Sequence, residues 1–377
     1  MDYSEKSIEL HQQKRGKIEI KSKVELKTKD DLSLAYTPGV AAVSSAIGFD
    51  KEMSWKLTNR ANQVAIVCDG TAILGLGDLG PEAAMPVMEG KAIIFKEFAG
   101  VDAFPLCIKT TDTEEIINFC KLIEPSFGGI NLEDISAPRC FTILERLEKE
   151  LSIPVFHDDQ DGTAIVVLAA LINACRVTGK DIKKLKIIIN GAGAGGIGIT
   201  RLLISQGVAD IILVDSKGAI YDNRSDLNDF KVQIAKQTNK SKITGGLKEA
   251  IVKCDVFIGV SKGDLLKQEM IKTMAINPII FAMANPIPEI MPDQAFLAGA
   301  SIIGTGRSDF PNQINNALVF PGLFRGLLNQ RIRHITTQIK VKAATSLAYT
   351  ITPTKEKILP SVTDKNVAKA IESGIRS

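Results

Sequence analysis

The feature that most constrains this chain is a six-residue turn, Gly191-Ala-Gly193-Ala-Gly195-Gly196, set between an apolar run, Lys186-Ile-Ile-Ile-Asn190, and a helical pattern reaching about Gln206. A second apolar run, Ile211-Ile-Leu-Val-Asp215, follows, and Asp215 stands 19 residues after Gly196. This strand, Gly-x-Gly-x-x-Gly turn, helix and acid-ended strand match the dinucleotide-binding βαβ unit, whose acid lies about 20 residues beyond the turn. Gly191 permits the tight turn, Gly193 lets backbone approach a pyrophosphate, and Gly196 lets the helix pack on the strand. Unpaired N–H groups at the helix start then favour the phosphates. Asp215 is expected to accept hydrogen bonds from the adenosine ribose and to repel a 2′-phosphate, which favours NAD. Lys217, two residues on, reaches a 2′-phosphate if its loop turns inward, so some NADP use is expected too. Gly75-Leu-Gly77-Asp-Leu-Gly80 shows the same pattern. There Asp78 would repel a pyrophosphate and Pro81 is not expected to begin a βαβ unit, so this loop reads as a tight turn near the substrate.

Further short strands are expected at 64–68, 103–108, 129–132, 153–156, 256–260, 279–282 and 301–303, with helices at 86–98, 113–122 (capped near Asp112), 138–151 and 163–178. Such alternation predicts an α/β protein: an N-terminal α/β substrate and metal domain over 1–160, a doubly wound Rossmann-type parallel-sheet domain over 161–340, and a helical tail over 341–377. A chain of 377 residues supports this division. Its net charge of +3 gives no reason to expect nucleic acid or an anionic membrane as a partner. Six cysteines without a C-x-x-C pair suit a reducing compartment. No uninterrupted apolar run of about 18 residues is seen, and the polar first 29 residues carry no secretory core, so a cytoplasmic protein is expected.

Two acidic pairs end adjacent strands, Glu133-Asp134 and Asp158-Asp159, with 25 residues from Asp134 to Asp159. Acids at the carboxyl ends of neighbouring parallel strands face one crevice. So many carboxylates together call for a cation, and oxygen ligands suit Mg²⁺ or Mn²⁺. Lys91, at the start of an apolar helical stretch, either snorkels to solvent or serves as a base. Tyr36, in the rigid turn Tyr36-Thr-Pro-Gly-Val40, taken alone reads as a packing residue.

Together these segments resemble the malic enzyme family. The matching pieces are Tyr36-Thr-Pro-Gly-Val-Ala41, the loop from Asp69 to Gly80, Glu89-Gly-Lys91, Asn131-Leu-Glu-Asp134, His157-Asp-Asp-Gln-Asp-Gly-Thr163, the Gly191 turn, Val214-Asp-Ser-Lys-Gly218, Ala284-Asn-Pro286, and Asn315-Asn316 before Phe320-Pro-Gly322. The resemblance implies oxidative decarboxylation of malate to pyruvate with NAD or NADP and a divalent metal. It makes Glu133, Asp134 and Asp159 the metal ligands, and Asp158 the group that polarises Lys91. Lys91 would be the base for the C2 hydroxyl and Tyr36 the acid that protonates the enol. Asn285 and Asn315 would contact substrate or nicotinamide. Larger relatives carry an arginine where this chain has Ala72; Thr71 and Arg60 are candidate substitutes for binding the substrate carboxylate. Asp161 is an additional carboxylate, expected to face solvent. A homodimer is expected. The competing activities are those of a malolactic enzyme and a metal-dependent oxaloacetate decarboxylase of the same family and, from another class, a non-catalytic nicotinamide redox sensor.

Overall fold

The computed structural model describes residues 3–376. Four strands form a first, all-parallel sheet: β1 (Gln63–Cys68), β2 (Asp102–Cys107), β3 (Gly129–Glu133) and β4 (Val155–His157), in the order β2-β1-β3-β4. Cys68 pairs with Glu133, and Leu132 with His157, so the carboxyl ends of β1, β3 and β4 come level. A second sheet holds β5 (Lys186–Asn190), β6 (Asp210–Asp215), β7 (Gly218–Ala219), β8 (Val256–Gly259), β9 (Ile279–Ala282) and β10 (Ile302–Thr305), ordered β10-β9-β8-β5-β6-β7. Every neighbouring pair is parallel except β6–β7. Nine of the strands coincide with the apolar runs read from the sequence, and eight of them are largely buried as parallel strands are, while β2 is half-buried along its length. The two-residue β7 is too short to leave a periodic signal.

The loop after β1 differs from expectation. Helix Pro81–Ala99 follows it directly and leads into β2, so β1, this helix and β2 do form a βαβ unit. Pro81 begins the helix because the first helical position has no N–H to lose. Helix Thr113–Ile123 starts where Asp112 accepts hydrogen bonds from the N–H groups of Glu114 (2.8 Å) and Glu115 (2.9 Å).

Two 21-residue stretches, Lys29–Phe49 and Asp158–Thr178, are long and apolar enough by length and composition to cross a bilayer, which a count of uninterrupted apolar runs does not reveal. The second is an interior helix, with 72% of its apolar window buried by the protein itself. The first has none of its window buried.

Late in the chain, helix Phe320–Gln330 returns to the first sheet. Phe320 meets Phe95 at 4.7 Å between ring centroids, and Phe324 meets Phe95 at 5.4 Å and Phe156 at 5.8 Å. Such pairs contribute roughly 0.5–1.5 kcal/mol each beyond burial, and one apolar cluster runs through both sheets. Helix Thr337–Ala348 lies on helix Thr163–Thr178, and Asn366–Gly374 on Phe320–Gln330.

Candidate active site

The carboxyl ends of the two sheets face a common cavity of about 910 Å³. β5 is flanked by β6 on one side and β8 on the other, and the crevice at such a reversal of strand order is where an open α/β sheet binds ligands. The turn after β5 supplies Gly193, Ala194 and Gly195 to the lining. A Cβ on Gly196 would lie 1.7 Å from the carbonyl oxygen of Gly191, so only glycine lets helix Ala194–Ser205 start against β5. A Cβ on Gly193 would meet nothing within 4 Å. That open side, in front of a helix start, fits a pyrophosphate.

Across the cavity stand Glu133 and Asp134 from the end of β3 and Asp159 from a π-helical turn, Asp158–Gly162, that follows β4. One carboxylate oxygen from each of the three lies within 4.8 Å of the others. Gly162 is required in that turn: a Cβ there would sit 1.8 Å from Asp158 Oδ1. Asp134 adopts a left-handed backbone, φ 50°, and is held there by two hydrogen bonds. Its N–H donates to Asp159 Oδ2 (3.0 Å), and its carbonyl accepts from the Ala72 N–H (3.1 Å).

Lys91, only 7% exposed, reaches this group from helix Pro81–Ala99. Its ammonium donates to Asp158 Oδ2, lies 3.0 Å from Glu133 Oε2, and stands 3.9 Å above the Phe320 ring. Asn131 Nδ2 also donates to Glu133 Oε2 (3.0 Å). Burial opposes the charge of Lys91, but Asp158 and Glu133 outweigh it and hold the ammonium above its ordinary pKa. Burial raises Glu133, Asp158 and Asp159, and takes Asp134 up to about 7. One ammonium for four carboxylates leaves the cluster short of positive charge. Asp134 Oδ2 is moreover buried with no hydrogen-bond partner among the described residues. An oxygen donor set of this kind fits Mg²⁺ or Mn²⁺. His157, buried and pushed down to about 4 by desolvation, is a neutral ring beside it.

Asn285 and Asn315 both line the cavity; Asn315 Oδ1 also caps the short turn after it, accepting from the Ala317 N–H at 2.8 Å. Other expected residues lie elsewhere. Tyr36 is 66% exposed and does not line the cavity. Thr71 Oγ1 is committed to Asp69 (2.7 Å), the Ser136 N–H (2.9 Å) and Arg139 (3.0 Å). Arg60 lies over Trp55 and donates to Ser54 Oγ (3.0 Å), away from the cavity. Asp161 does not face solvent. It is buried and pairs with Lys340 at 2.7 Å, because helix Thr337–Ala348 packs beside the turn that carries it. Asp215 ends β6 but is enclosed by Arg224 and Lys231, whereas Lys217 is exposed and pairs with Asp226 at 2.9 Å.

Sequence reasoning missed Lys17, which lines the cavity and donates to the Pro86 carbonyl at 2.6 Å. It also missed Arg139, Arg224, Lys231 and Lys340. None of these lies in a motif, and what brings each to its partner is tertiary packing.

Family models match both parts of the chain: "Malic enzyme, N-terminal domain" over residues 13–148 and "Malic enzyme, NAD binding domain" over 160–375. The chain is 53% identical to the bifunctional malic/malolactic enzyme of Bacillus subtilis, with 100% of this chain and 92% of that protein covered. It is also 53% identical to an NAD-dependent malic enzyme of Geobacillus stearothermophilus, covering 96% and 76%. Among solved structures, that of the NAD-dependent malic enzyme from Thermotoga maritima superimposes with a TM-score of 0.95 at 48% identity, covering 98% of each chain.

Proposed function

The chain belongs to the malic enzyme family, and from that premise we propose that it oxidises and decarboxylates malate to pyruvate and CO₂ with reduction of NAD or NADP. One observation carries the reading. The Lys91 ammonium sits between Asp158 and Glu133, inside a carboxylate cluster that shares its cavity with the dinucleotide turn.

Glu133, Asp134 and Asp159 would hold a Mg²⁺ or Mn²⁺ ion, which would supply Lewis acidity, and the nicotinamide, when bound, would supply the hydride acceptor. The remaining steps belong to the chain. Lys91 first passes a proton to Asp158, with which it shares a hydrogen bond, and the neutral amine, oriented and polarised by Asp158, then takes the proton of the C2 hydroxyl; Asn285 and Asn315 position the substrate and the nicotinamide ring. Tyr36 returns a proton to C3 after CO₂ leaves. Tyr36 stands on a stretch, Lys29–Phe49, whose apolar window is wholly uncovered. A second copy covering that stretch would carry its own Tyr36 toward this cavity, which supports a homodimer. Six unbridged cysteines support a cytoplasmic setting.

The malolactic reading is favoured by one finding, the bifunctional Bacillus relative. Product analysis with malate, Mn²⁺ and each cofactor tests both. Pyruvate in step with reduced cofactor is the expected result; lactate without net reduction establishes the malolactic activity instead. Neither product, or full turnover in excess chelator, overturns the proposal.

A further inference from the structure

Cys68 ends β1 and Cys107 ends β2, and the two stand directly opposite each other in the parallel register. Cys68 also stands opposite Glu133 at the end of β3. Side chains opposite one another in register project from the same face of a sheet. Cys107, Cys68 and Glu133 therefore form one row that ends in the carboxylate cluster. Neighbouring strands lie about 4.8 Å apart, inside the span of roughly 4.4–6.8 Å that a disulfide bridges between two Cα atoms. The thiols already interact: Cys68 is hydrogen-bonded to Cys107, and that bond draws the Cys107 thiol below its ordinary range. The same bond, together with burial, raises Cys68.

The other four cysteines differ. Cys120, Cys140, Cys175 and Cys254 are buried, and desolvation pushes each up to about 12. Thiols buried in this way are inert. Cys107 differs in access as well, because β2 is an edge strand of its sheet and is half-buried along its length, Cys107 included. A small oxidant can reach it there, and the buried Cys68 beside it is placed to attack the oxidised sulfur. Cys68 is also tied to the site. Its Sγ accepts from the Gly70 N–H at 3.2 Å. Gly70 opens the loop that runs to Gly80, and on that loop the Ala72 N–H donates to the Asp134 carbonyl at 3.1 Å. Drawing Cys68 Sγ toward Cys107 thus pulls on the loop that supports Asp134 and on the row that ends in Glu133.

We propose that Cys68 and Cys107 are a redox-modification site, which a peroxide closes into a disulfide that displaces Asp134 and Glu133 and lowers turnover. Cys107 Sγ attacks one peroxide oxygen, the O–O bond breaks, and the hydroxide released leaves as water with the Cys107 thiol proton. Cys68 Sγ then attacks the sulfenic sulfur, the S–O bond breaks, and a second water leaves with the Cys68 thiol proton. Two thiols are oxidised and one peroxide is reduced to two waters. In a reducing compartment such a bond is transient, which makes the closure reversible.

The test treats the full chain with hydrogen peroxide, removes the peroxide by desalting, and blocks free thiols before denaturation. Intact mass and peptide mapping then read the linkage, and a parallel sample is assayed with malate, Mn²⁺ and NAD⁺. Expected are the loss of two hydrogens, about 2 Da, a linked Cys68–Cys107 peptide, and two of the six thiols no longer titratable. Turnover should fall by about tenfold or more, since small displacements of the groups that orient a substrate are costly, and dithiothreitol should restore it. Cys107→Ser removes the attacking thiol and keeps a small polar side chain. It should match reduced wild type in turnover and be insensitive to peroxide. The inference is overturned by the absence of the linkage, by uptake of oxygen at Cys107 in its place, by a linkage that leaves turnover unchanged, or by an equal loss of turnover in Cys107→Ser. A reduced wild-type protein without turnover overturns the functional reading instead, and the mass of the linked pair then decides the modification site on its own.

Discussion

Lys91 owes its position to two acids and an aromatic ring, and it is the residue on which the proposed chemistry turns. Lys91→Ala would leave Asp158 and Glu133 buried without their cation, so lost activity in that variant would mix chemistry with instability. Lys91→Arg separates the two. The guanidinium keeps the positive charge but does not give up its proton at any accessible pH, so it cannot act as a base. We expect Lys91→Arg to melt near wild type while kcat falls by about 10²–10⁴-fold, the size of a general acid–base contribution. A variant with near-wild-type kcat would reduce Lys91 to a structural counter-ion.

At the scale of single elements, the turn between β5 and helix Ala194–Ser205 contains glycines with two different duties. Gly196 is needed by the protein, since a Cβ there would collide with the Gly191 carbonyl at 1.7 Å. Gly193 is needed only by what approaches it, since a Cβ there meets no protein atom within 4 Å and its φ of −87° is ordinary. Gly196→Ala should therefore lower the melting temperature, at a cost of roughly 1–3 kcal/mol typical of overpacking. Gly193→Ala should melt like wild type and yet bind NAD⁺ more weakly. Thermal melts alongside calorimetry with NAD⁺ distinguish them. Equal effects of the two substitutions on melting and on binding would show that the turn does not face the cofactor.

At the scale of the molecule, Lys29–Phe49 cannot be accounted for by the single chain. Leu32, Leu34, Tyr36, Val40 and Phe49 are all exposed, Phe49 at 96%. Helices this short are marginal in water without an apolar face to bury, and a contiguous apolar surface marks an interface. Sedimentation velocity should show a dimer. Phe49→Asp should shift it toward monomer and lower malate turnover by an order of magnitude or more, while NAD⁺ binding persists on the separate nucleotide sheet. A fully active wild-type monomer would rule out delivery of Tyr36 by a second copy.

What the sequence determined by itself was local. The parallel strands declare themselves as short apolar runs, Asp112 announces its helix, and the Gly191 turn and the acidic pairs at the ends of β3 and β4 lie at spacings set by one strand–helix–strand unit. In such segments the decisive interactions span a few residues or one repeat of the sheet, so the order of residues carries them. Tertiary structure decided the partners of charges. Asp161 meets Lys340 across 179 residues of sequence, and Lys91 meets Asp158 across 67. Thr71 is taken up by Arg139, and Asp215 by Arg224 and Lys231. The exposure of Tyr36 was equally invisible, since it reflects what no other part of the chain covers. A desolvated charge must find a counter-charge or neutralise. Which one it finds depends on the elements packed beside it, and that is settled only when the two sheets, and the helices returning from the end of the chain, come together.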